Sequence, residues 1–276
     1  MLKNDRLYKT ALYVVLTVVG LLVLLPLYWM VVSSLKSQLE ILSIPPRFVP
    51  TRMLWENYGM FLENFPFFRL ISNSLIVAGL TTAISVVVAS MTGYGLVKFR
   101  SRLTKLFFIL LLSSAMVPPV VKVLPLYVQM VKIGLNDTLV GVIIPFYVSV
   151  FGIFFIRQYC QSIPDDLIEA ARVEGVPEFQ LFFRIIFPII KPALASLAVL
   201  KFLMTWNDFF WPLIMLSTPK KMTLQVGIAI ILDPEYPINY GMLMAGATLA
   251  IVPIVLLFIV FQRQIVKSVA TTGMKA

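Results

Sequence analysis

Histidine is absent from the 276 residues, and Cys160 is the single cysteine. The chain therefore lacks the commonest metal ligand and the usual base of Ser-His-Asp chemistry. One thiol also excludes a disulfide framework within the chain, and no Cys/His metal cluster can be assembled. We predict no catalytic residue and no metal site, and these absences disfavour an enzyme embedded in the membrane.

Charged residues are scarce as well, at 13%, whereas hydrophobic residues make up 59% and the mean hydropathy is +0.92. One soluble core of this length cannot bury so much apolar surface, so the chain belongs in a bilayer. The formal net charge is +10, but the bases are scattered between long apolar runs. That placement is typical of topology signals, and we predict no nucleic-acid partner.

Six apolar runs are long enough to cross about 30 Å of hydrocarbon. A lone segment in lipid satisfies its backbone hydrogen bonds only as a helix, so we predict an all-α polytopic membrane protein with six transmembrane helices. The first run follows basic residues, as a signal peptide does, but its length and missing cleavage site indicate a retained anchor. The predicted spans are residues 10–32, 71–97, 106–131, 138–156, 192–216 and 241–261.

Lysine and arginine predict the orientation of these spans. With the N-terminus inside, 14 of the 23 bases lie in inner segments and 7 in outer ones, so both termini are expected in the cytoplasm. Cys160 directly follows the fourth span and is expected at the inner edge, within reach of thiol reagents from that side. The outer segment, residues 33–70, is expected to form a lid, a surface helix or a plain connector.

A polar stretch between the fourth and fifth spans interrupts the apolar pattern and contains EAARVEGVPEFQLFFRIIFPIIKP. Signals for helix starts and stops divide it into two short helices joined at Gly175, the first beginning at Pro164. The second is expected over residues 177–187, with Pro188 and Pro192 breaking it before the membrane. We call residues 161–191 the bracket.

The bracket carries five acids and three bases. On its first helix, Leu167, Ala170, Ala171 and Glu174 are spaced for one face with two alanines at its centre, which another surface can approach closely. The residues alone leave two interpretations open. The bracket is an acidic docking site for a partner with basic residues, or it is a solvated loop that packs on its own bundle.

The resemblance is to the EAA loop of permease subunits in bacterial ABC importers. It lies in the spacing of six residues of the bracket: Glu169, Ala170, Ala171, Gly175, Ile185 and Pro188. Phe187 stands where that family usually has leucine. The stretches PLYWMVVSSLK, WENYGMF, SNSLIVAG, GYGLVKFR, PLYVQMVKIGLNDT and TWNDFFWPL are similar, in order and spacing, to segments of the maltose-type sugar permeases. The likeness therefore covers nearly the whole chain, although the tail FQRQIVKSVATTGMKA departs from the glycine-rich ending expected for the subfamily.

This resemblance implies a type I ABC importer permease fold, in which the loop docks on a cytoplasmic ATPase and transmits its closure to the membrane helices. It implies a second homologous permease subunit, an ATPase dimer and an extracellular solute-binding protein, in a bacterial or archaeal plasma membrane. The chain has no G-x-x-x-x-G-K-[ST] motif, so ATP and Mg²⁺ are expected on the partner and no cofactor on this chain. The residues implied in ATPase coupling are Glu169, Ala170, Ala171, Glu174, Gly175, Ile185 and Pro188.

The expected organisation has three parts. Residues 1–70 form the anchor helix and external loop, residues 71–266 the permease core with the bracket, and residues 267–276 a cytoplasmic tail.

Polar side chains inside the spans are candidates for a substrate path, since a charge in hydrocarbon is costly without a cavity or a partner. In the fifth span Lys201, Thr205 and Asp208 recur on one helix face, with Trp206 and Asn207 beside them. We call these five residues the polar stripe. The same residues also suit a packing interface, because polar groups hold membrane helices together.

Lys122 lies in the third span between the Pro118-Pro119 pair and Pro125. These prolines are expected to bend the span. A bend suits a gate with Lys122 in the substrate path, and alternatively the Lys122 ammonium extends to the outer surface.

These inferences predict that the chain forms half of the translocation path of an ATP-driven importer for a sugar or oligosaccharide. An ion-driven secondary transporter is disfavoured because carboxylates inside the spans are scarce. Within the importers, the alternative solute is a glycerophosphate or an amino acid. A phosphate would favour a cluster of bases in the spans, where only Lys122 and Lys201 occur.

Overall fold

The computed structural model describes residues 2–230 and 239–273, and within these it describes the side chains of residues 8–230 and 239–262. All regular structure in these ranges is helical. The α-helices are α1 Leu2–Ser33, α2 Gln38–Ile41, α3 Glu56–Asn64, α4 Phe67–Lys98, α5 Arg102–Ala115, α6 Pro119–Lys132, α7 Leu139–Ile143, α8 Val150–Cys160, α9 Asp165–Val173, α10 Glu178–Leu181, α11 Phe187–Trp206, α12 Phe210–Met215, α13 Leu224–Ala229 and α14 Tyr240–Gly273.

Four unbroken helical segments among the described residues are long and apolar enough to cross a membrane: Tyr8–Ser33, Phe67–Lys98, Glu178–Trp206 and Tyr240–Gln262. Two bent pairs also qualify when each pair is counted as one span, namely α5 with α6 and the segment Leu139–Phe146 with α8. The total is then six, which confirms the number of predicted spans.

The third span bends by 100° between α5 and α6. The break follows Ala115, and α6 starts at Pro119, where the missing N–H costs nothing because the first turn of a helix leaves its donors unpaired. The bend predicted from the prolines is confirmed. Its size means that α5 and α6 do not form one straight helix through the bilayer.

The expected break at Pro188 and Pro192 is wrong. A π-helical turn at Phe182–Ile186 leads directly into α11, so the helical segment runs without interruption from Glu178 to Trp206. Pro188 lies just after this turn, where wider hydrogen-bond spacing relieves the usual clash of proline with the preceding carbonyl. The expected fifth span of residues 192–216 is also displaced toward the N-terminus, because the helical segment starts at Glu178 and ends at Trp206, and α12 is a separate helix.

The chain divides into two compact units, of which the first comprises Met1–Phe67 and Gly227–Val252. In this unit residues 33–66 form a folded segment with the short helices α2 and α3. Asn57 donates hydrogen bonds of 2.9 Å to the carbonyl oxygens of Ser34 and Lys36. Phe61 is fully buried and packs so closely on Gly246 that an added Cβ would lie 2.7 Å from its ring. The segment is therefore an ordered layer in its own unit.

The second unit comprises Phe68–Val226 and Pro253–Ala276. Its larger core cluster takes buried side chains from α4, α8, α9 and α11. Gly93 lets α4 approach α8 so closely that a Cβ there would lie 2.9 Å from the backbone nitrogen of Arg157. Cys160 is fully buried in this cluster, so the expectation that thiol reagents reach it from the inner side is wrong.

Candidate functional site

The first helix of the bracket, α9, is anchored at its start by ion pairs. Asp165 accepts from the Lys98 Nζ at 2.7 Å and from the Arg100 guanidinium at 2.9 Å. The side chain of Lys98 is only 5% exposed, and its Nζ also donates to the Ile163 carbonyl at 3.0 Å. The hydrogen bond and charge of Lys98 lower the pKa of Asp165 from its ordinary value. The start of α9 is thus tied to the end of α4.

The end of α9 is set by Gly175, which has a φ of 74°. Its N–H donates to the Arg172 carbonyl at 2.9 Å, and the Val176 N–H donates to the Ala171 carbonyl at 3.1 Å. These two bonds form a Schellman motif, which needs a left-handed residue and favours glycine there. The turn predicted at Gly175 is confirmed.

Glu178, the first residue of α10, holds the two helices of the bracket together. The Arg172 Nε donates to one carboxylate oxygen at 2.6 Å, and the Tyr94 hydroxyl donates to the other at 3.3 Å. The hydrogen bond with Glu178 raises the pKa of Arg172. The bracket is therefore fastened to α4 at two points, by Asp165 at the start of α9 and by Glu178 at the start of α10.

The inner face of α9 packs into the core through Ile168 and Ala171, which are 2% and 6% exposed. The spacing predicted Ala171 at the centre of an outward docking face, and this prediction is wrong. Ala171 lies on the same side of α9 as Ile168 and is buried. The outward surface carries Val173, which is 89% exposed. The other exposed members of this surface are Leu167, Glu169, Ala170 and Glu174.

Three carboxylates of the bracket, those of Asp166, Glu169 and Glu174, belong to exposed residues. None of the ion pairs found among the described side chains includes them. Asp165 and Glu178 have basic partners within the chain. The acidic charge left at the surface is thus concentrated on the outward side of α9.

The other two predicted coupling residues lie further along the same helical segment. Ile185 is half-buried in the π-helical turn and packs against the larger core cluster. Pro188 is exposed in the first turn of α11. Neither belongs to the outward surface of α9, so the seven predicted coupling residues do not form one continuous face.

The polar stripe spans the end of α11 and the short break after it. Lys201 and Asp208 are both half-buried, and the ion pairs of the described side chains do not include this pair. A carboxylate oxygen of Asp208 accepts from the Trp211 N–H at 3.5 Å at the start of α12. Thr205 is half-buried on α11, and its carbonyl accepts from the Asp208 N–H at 3.3 Å.

The remaining stripe residues differ in exposure. Trp206 is 1% exposed and stacks on Phe202 with ring centroids 5.8 Å apart. Asn207 is exposed, and its amide nitrogen donates to the Leu203 carbonyl at 2.9 Å. The stripe therefore contains a packing residue, Trp206, beside polar groups that remain accessible.

Lys122 has a local partner across the bend of the third span. Its Nζ donates to the Ser114 carbonyl at 2.8 Å, one of the last carbonyls of α5, which have no partner within the helix. The lysine thus stabilises the bend between α5 and α6.

A polar clamp at Asp137 is a feature that the sequence did not predict. This carboxylate accepts from the N–H groups of Ser217 and Thr218 at 3.0 Å, from the Thr218 hydroxyl at 2.7 Å and from the Lys221 Nζ at 2.8 Å. The hydrogen bond from Lys221, followed by those from Thr218, holds the pKa of Asp137 well below its usual range. The Gly-Leu-Asn-Asp run indicates a turn, but nothing local indicates partners 80 residues away.

Comparison with known proteins agrees with this architecture. A model of the family described as binding-protein-dependent transport system inner membrane component matches residues 84–271. The chain is 36% identical over 271 residues to the arabinooligosaccharides transport system permease protein AraQ of Bacillus subtilis (strain 168), with 97% of this chain and 96% of that protein covered. It is 29% identical over 274 residues to the sn-glycerol-3-phosphate transport system permease protein UgpE of Yersinia enterocolitica, with 97% and 98% covered.

Among solved structures, the crystal structure of a bacterial ABC transporter involved in the import of the acidic polysaccharide alginate has the same fold. It superimposes with a TM-score of 0.82 at 24% identity and covers 94% of this chain and 97% of that one. The chain therefore belongs to the family of binding-protein-dependent transport system inner membrane components, and it is a multi-pass membrane permease subunit.

Proposed function

We propose that the chain forms half of the translocation path of an ATP-driven importer for a sugar or oligosaccharide, and that α9 couples this path to a separate ATPase. The observation that carries the proposal is the double fastening of the bracket to α4. Asp165 is paired with Lys98 and Arg100, and Glu178 is bonded to Arg172 and Tyr94. A force applied to α9 is therefore passed to α4 and, through the helical segment that begins at Glu178, to α11.

The outward surface of α9 favours a partner with basic and apolar side chains. Val173 and Leu167 expose apolar surface, and beside it lie the carboxylates of Asp166, Glu169 and Glu174, which form no ion pair with the described side chains. A central apolar contact with charges at its rim is typical of protein interfaces. This chemistry supports docking over the alternative of a loop packed only on its own bundle.

The complete importer needs further chains. We infer a second permease subunit that supplies the other half of the path, two ATPase subunits that bind ATP and Mg²⁺, and an extracellular solute-binding protein. The exposed apolar side chains of α5, among them Leu103 and Leu110, are available to lipid or to the second permease.

A neutral solute is favoured by the small number of free bases in the spans. Lys122 is engaged with the Ser114 carbonyl, which leaves Lys201 beside Asp208 in the polar stripe. A phosphate ester would favour a cluster of bases. The similarity to AraQ supports an oligosaccharide, whereas the similarity to UgpE keeps glycerol 3-phosphate as the alternative solute.

Uptake measurements in the native host test the proposal. Deleting the gene should abolish vanadate-sensitive uptake of a labelled arabino-oligosaccharide, and the intact gene should restore it. The Glu169→Lys variant reverses a charge on the outward surface of α9, and it should reduce uptake by about tenfold, which corresponds to a loss of about 1.4 kcal/mol.

The control is the same reversal at Glu63, an exposed residue of α3, which should leave uptake unchanged. Normal uptake and normal ATP turnover in Glu169→Lys would contradict the coupling role of α9. Loss of glycerol 3-phosphate uptake on gene deletion, with oligosaccharide uptake intact, would overturn the proposed solute and leave the importer mechanism standing.

A further inference from the structure

A cavity of about 620 Å³ lies beside the bracket in the second unit. The end of α4, the loop that follows it, the first two turns of α5 and the end of α8 line it. Its size falls within the range of pockets that hold small organic ligands. Three of its lining residues, Lys98, Arg100 and Asp165, form the ion pairs that anchor α9, and the coupling role proposed above does not use the others.

The cavity lining is strongly basic. It contains the four basic residues Lys98, Arg100, Lys105 and Arg157, and a single acid, Asp165. Asp165 already pairs with Lys98 and Arg100. The ion pairs of the described side chains leave Lys105 and Arg157 without a carboxylate, so the cavity has positive charge that these side chains do not neutralise.

Arg157 is held in place but is not fully satisfied. Its guanidinium carbon lies 4.2 Å from the centre of the Phe108 ring, which fixes the plane of the group by a cation–π contact. With the Gln161 amide oriented to give it an acceptor, the terminal nitrogens donate at 3.2 and 3.3 Å. The Nε is buried and has no hydrogen-bond partner among the described residues, and such a donor is costly unless a ligand satisfies it.

The wall beside the cavity is apolar and exposed. On α5, which begins at the cavity, Phe108 and Ile109 line the cavity, and Ile109 is 49% exposed. A ligand that places an anion in the cavity can therefore lay a hydrocarbon chain along α5. This combination of an arginine-lined cavity and an adjoining apolar face matches the chemistry of an anionic phospholipid. A free phosphate ion would use only the cavity.

We propose that this cavity binds a phosphate group, and that the phosphate belongs to the headgroup of an anionic phospholipid of the inner leaflet. Arg157 and Lys105 contact the phosphate oxygens, and the acyl chains lie against the exposed face of α5. The placement in the inner leaflet rests on the proposed function, which puts the adjacent bracket in the cytoplasm. The phosphate site itself depends only on the geometry of the cavity.

Lipid retention by the purified importer tests the site. The complex is purified through a tag on this chain, equilibrated with equal amounts of phosphatidylglycerol and phosphatidylcholine, and analysed by native mass spectrometry. We expect selective retention of phosphatidylglycerol. The Lys105→Gln/Arg157→Gln double variant should weaken that retention by at least about tenfold, because two charge-assisted contacts are lost.

Arg102→Gln is the matched control, since Arg102 is an exposed neighbour on α5 that does not line the cavity. It removes the same charge and should retain phosphatidylglycerol as the native chain does. Single Lys105→Gln changes an exposed side chain and should show a smaller loss, which keeps the test valid if the double variant fails to fold.

Equal retention by the double variant, Arg102→Gln and the native chain would overturn the site. Binding of labelled inorganic phosphate in pure phosphatidylcholine, lost in the double variant, would overturn the lipid source. Unchanged lipid retention with loss of the co-purified ATPase would assign the basic surface to a protein contact instead. The measurement uses neither solute nor ATP, so its failure is distinct from a failure of the proposed transport function.

Discussion

Gly175 sets the direction in which the chain leaves α9. Its φ of 74° closes the Schellman motif, and the space around an added Cβ is open, with no atom within 4 Å. A substitution at this position is therefore opposed by backbone conformation alone and not by a clash. For a β-branched residue the left-handed conformation costs about 2 kcal/mol.

We expect Gly175→Val to lower solute uptake strongly while the protein still inserts into the membrane and assembles with its sister subunit. The bracket would lose its geometry, and ATPase docking or coupling would fail. Gly175→Asn should retain most of the activity, because asparagine tolerates the left-handed region. Uptake and ATPase assays on the purified complex measure both variants, and equal activity of valine and asparagine at this position would refute the conformational explanation.

Asp137 stabilises the segment between α6 and α7 by accepting hydrogen bonds from residues 217–221. Asp137→Asn removes the charge while preserving tolerance of its positive φ of 51°. We expect a destabilisation of only about 1 kcal/mol, because the Asp137–Lys221 ion pair is partly exposed and solvent screens the attraction between the two charges. A thermal melt of the complex measures the change, with Glu63→Gln as an exposed carboxylate control that should leave the melting temperature unaltered.

The destabilisation by Asp137→Asn should depend on pH. Because folding lowers the pKa of Asp137, its carboxylate contributes stability above the unfolded pKa of about 3.9, and this contribution is lost as the pH falls below that value. The difference in melting temperature between the native chain and the variant should therefore be constant near pH 7 and shrink below about pH 4. A difference that grows on acidification would contradict the assigned ionisation.

At the scale of the helix, the end of α11 separates the two roles considered for the polar stripe, a packing interface and a substrate path. Trp206 packs in the interior, whereas Asp208 lies in the break before α12. Asp208→Asn keeps an acceptor for the Trp211 N–H and removes only the charge.

We expect Asp208→Asn to assemble normally and to change the uptake rate by about tenfold. A change of this size corresponds to the free energy of one charge-assisted hydrogen bond. Size-exclusion chromatography of the tagged complex and solute uptake measure the two properties. Loss of assembly would favour the packing interpretation, and normal uptake together with normal assembly would remove Asp208 from both.

The sequence predicts which segments are helices because apolar length and helix signals are local. It could not predict the 100° bend between α5 and α6 in size, since the prolines specify a weak point and not an angle. It also misplaced the end of the second helix of the bracket. A π-helical turn at Phe182–Ile186 accommodates Pro188, so this helix continues without a break. Spacing identified Gly175 correctly, because a left-handed helix end has a local signature.

Contacts between distant residues could not be obtained from the sequence. Lys98 directly follows the predicted span of residues 71–97, where a base is expected to face water, yet its side chain is buried and pairs with Asp165, 67 positions later. Cys160 follows an apolar run, and its position in the sequence is equally compatible with a site at the membrane surface and a site in the protein interior. The fold shows that Cys160 lies inside the core. Hydrophobic pattern predicts that a side chain avoids water, but not which neighbour it meets.

At the scale of the whole molecule, the orientation in the membrane is open to a direct test. We expect Val173→Cys, on the exposed side of α9, to react with a membrane-impermeant thiol reagent in inside-out vesicles only. Ile44→Cys, in the outer segment, should react in intact cells only, since Ile44 is 96% exposed. Labelling is read as the mass shift of the purified chain.

The native chain is the control in the same experiment. Cys160 is fully buried, so the unmodified protein should remain unlabelled from either side. The opposite pattern for Val173→Cys and Ile44→Cys would invert the topology and place the bracket outside the cell.

The unbroken helix from Glu178 to Trp206 has 29 residues, which makes it about 43 Å long at 1.5 Å per residue. The hydrocarbon layer is about 30 Å thick. An upright helix therefore projects about 13 Å beyond the layer, and the nine residues from Glu178 to Ile186 account for about that length. The surplus also sets an upper limit on tilt, since a rod of this length can lean by about 45° before both ends sink into the lipid. Within that limit, the helix can change its inclination during a transport cycle without drawing Glu178 into hydrocarbon.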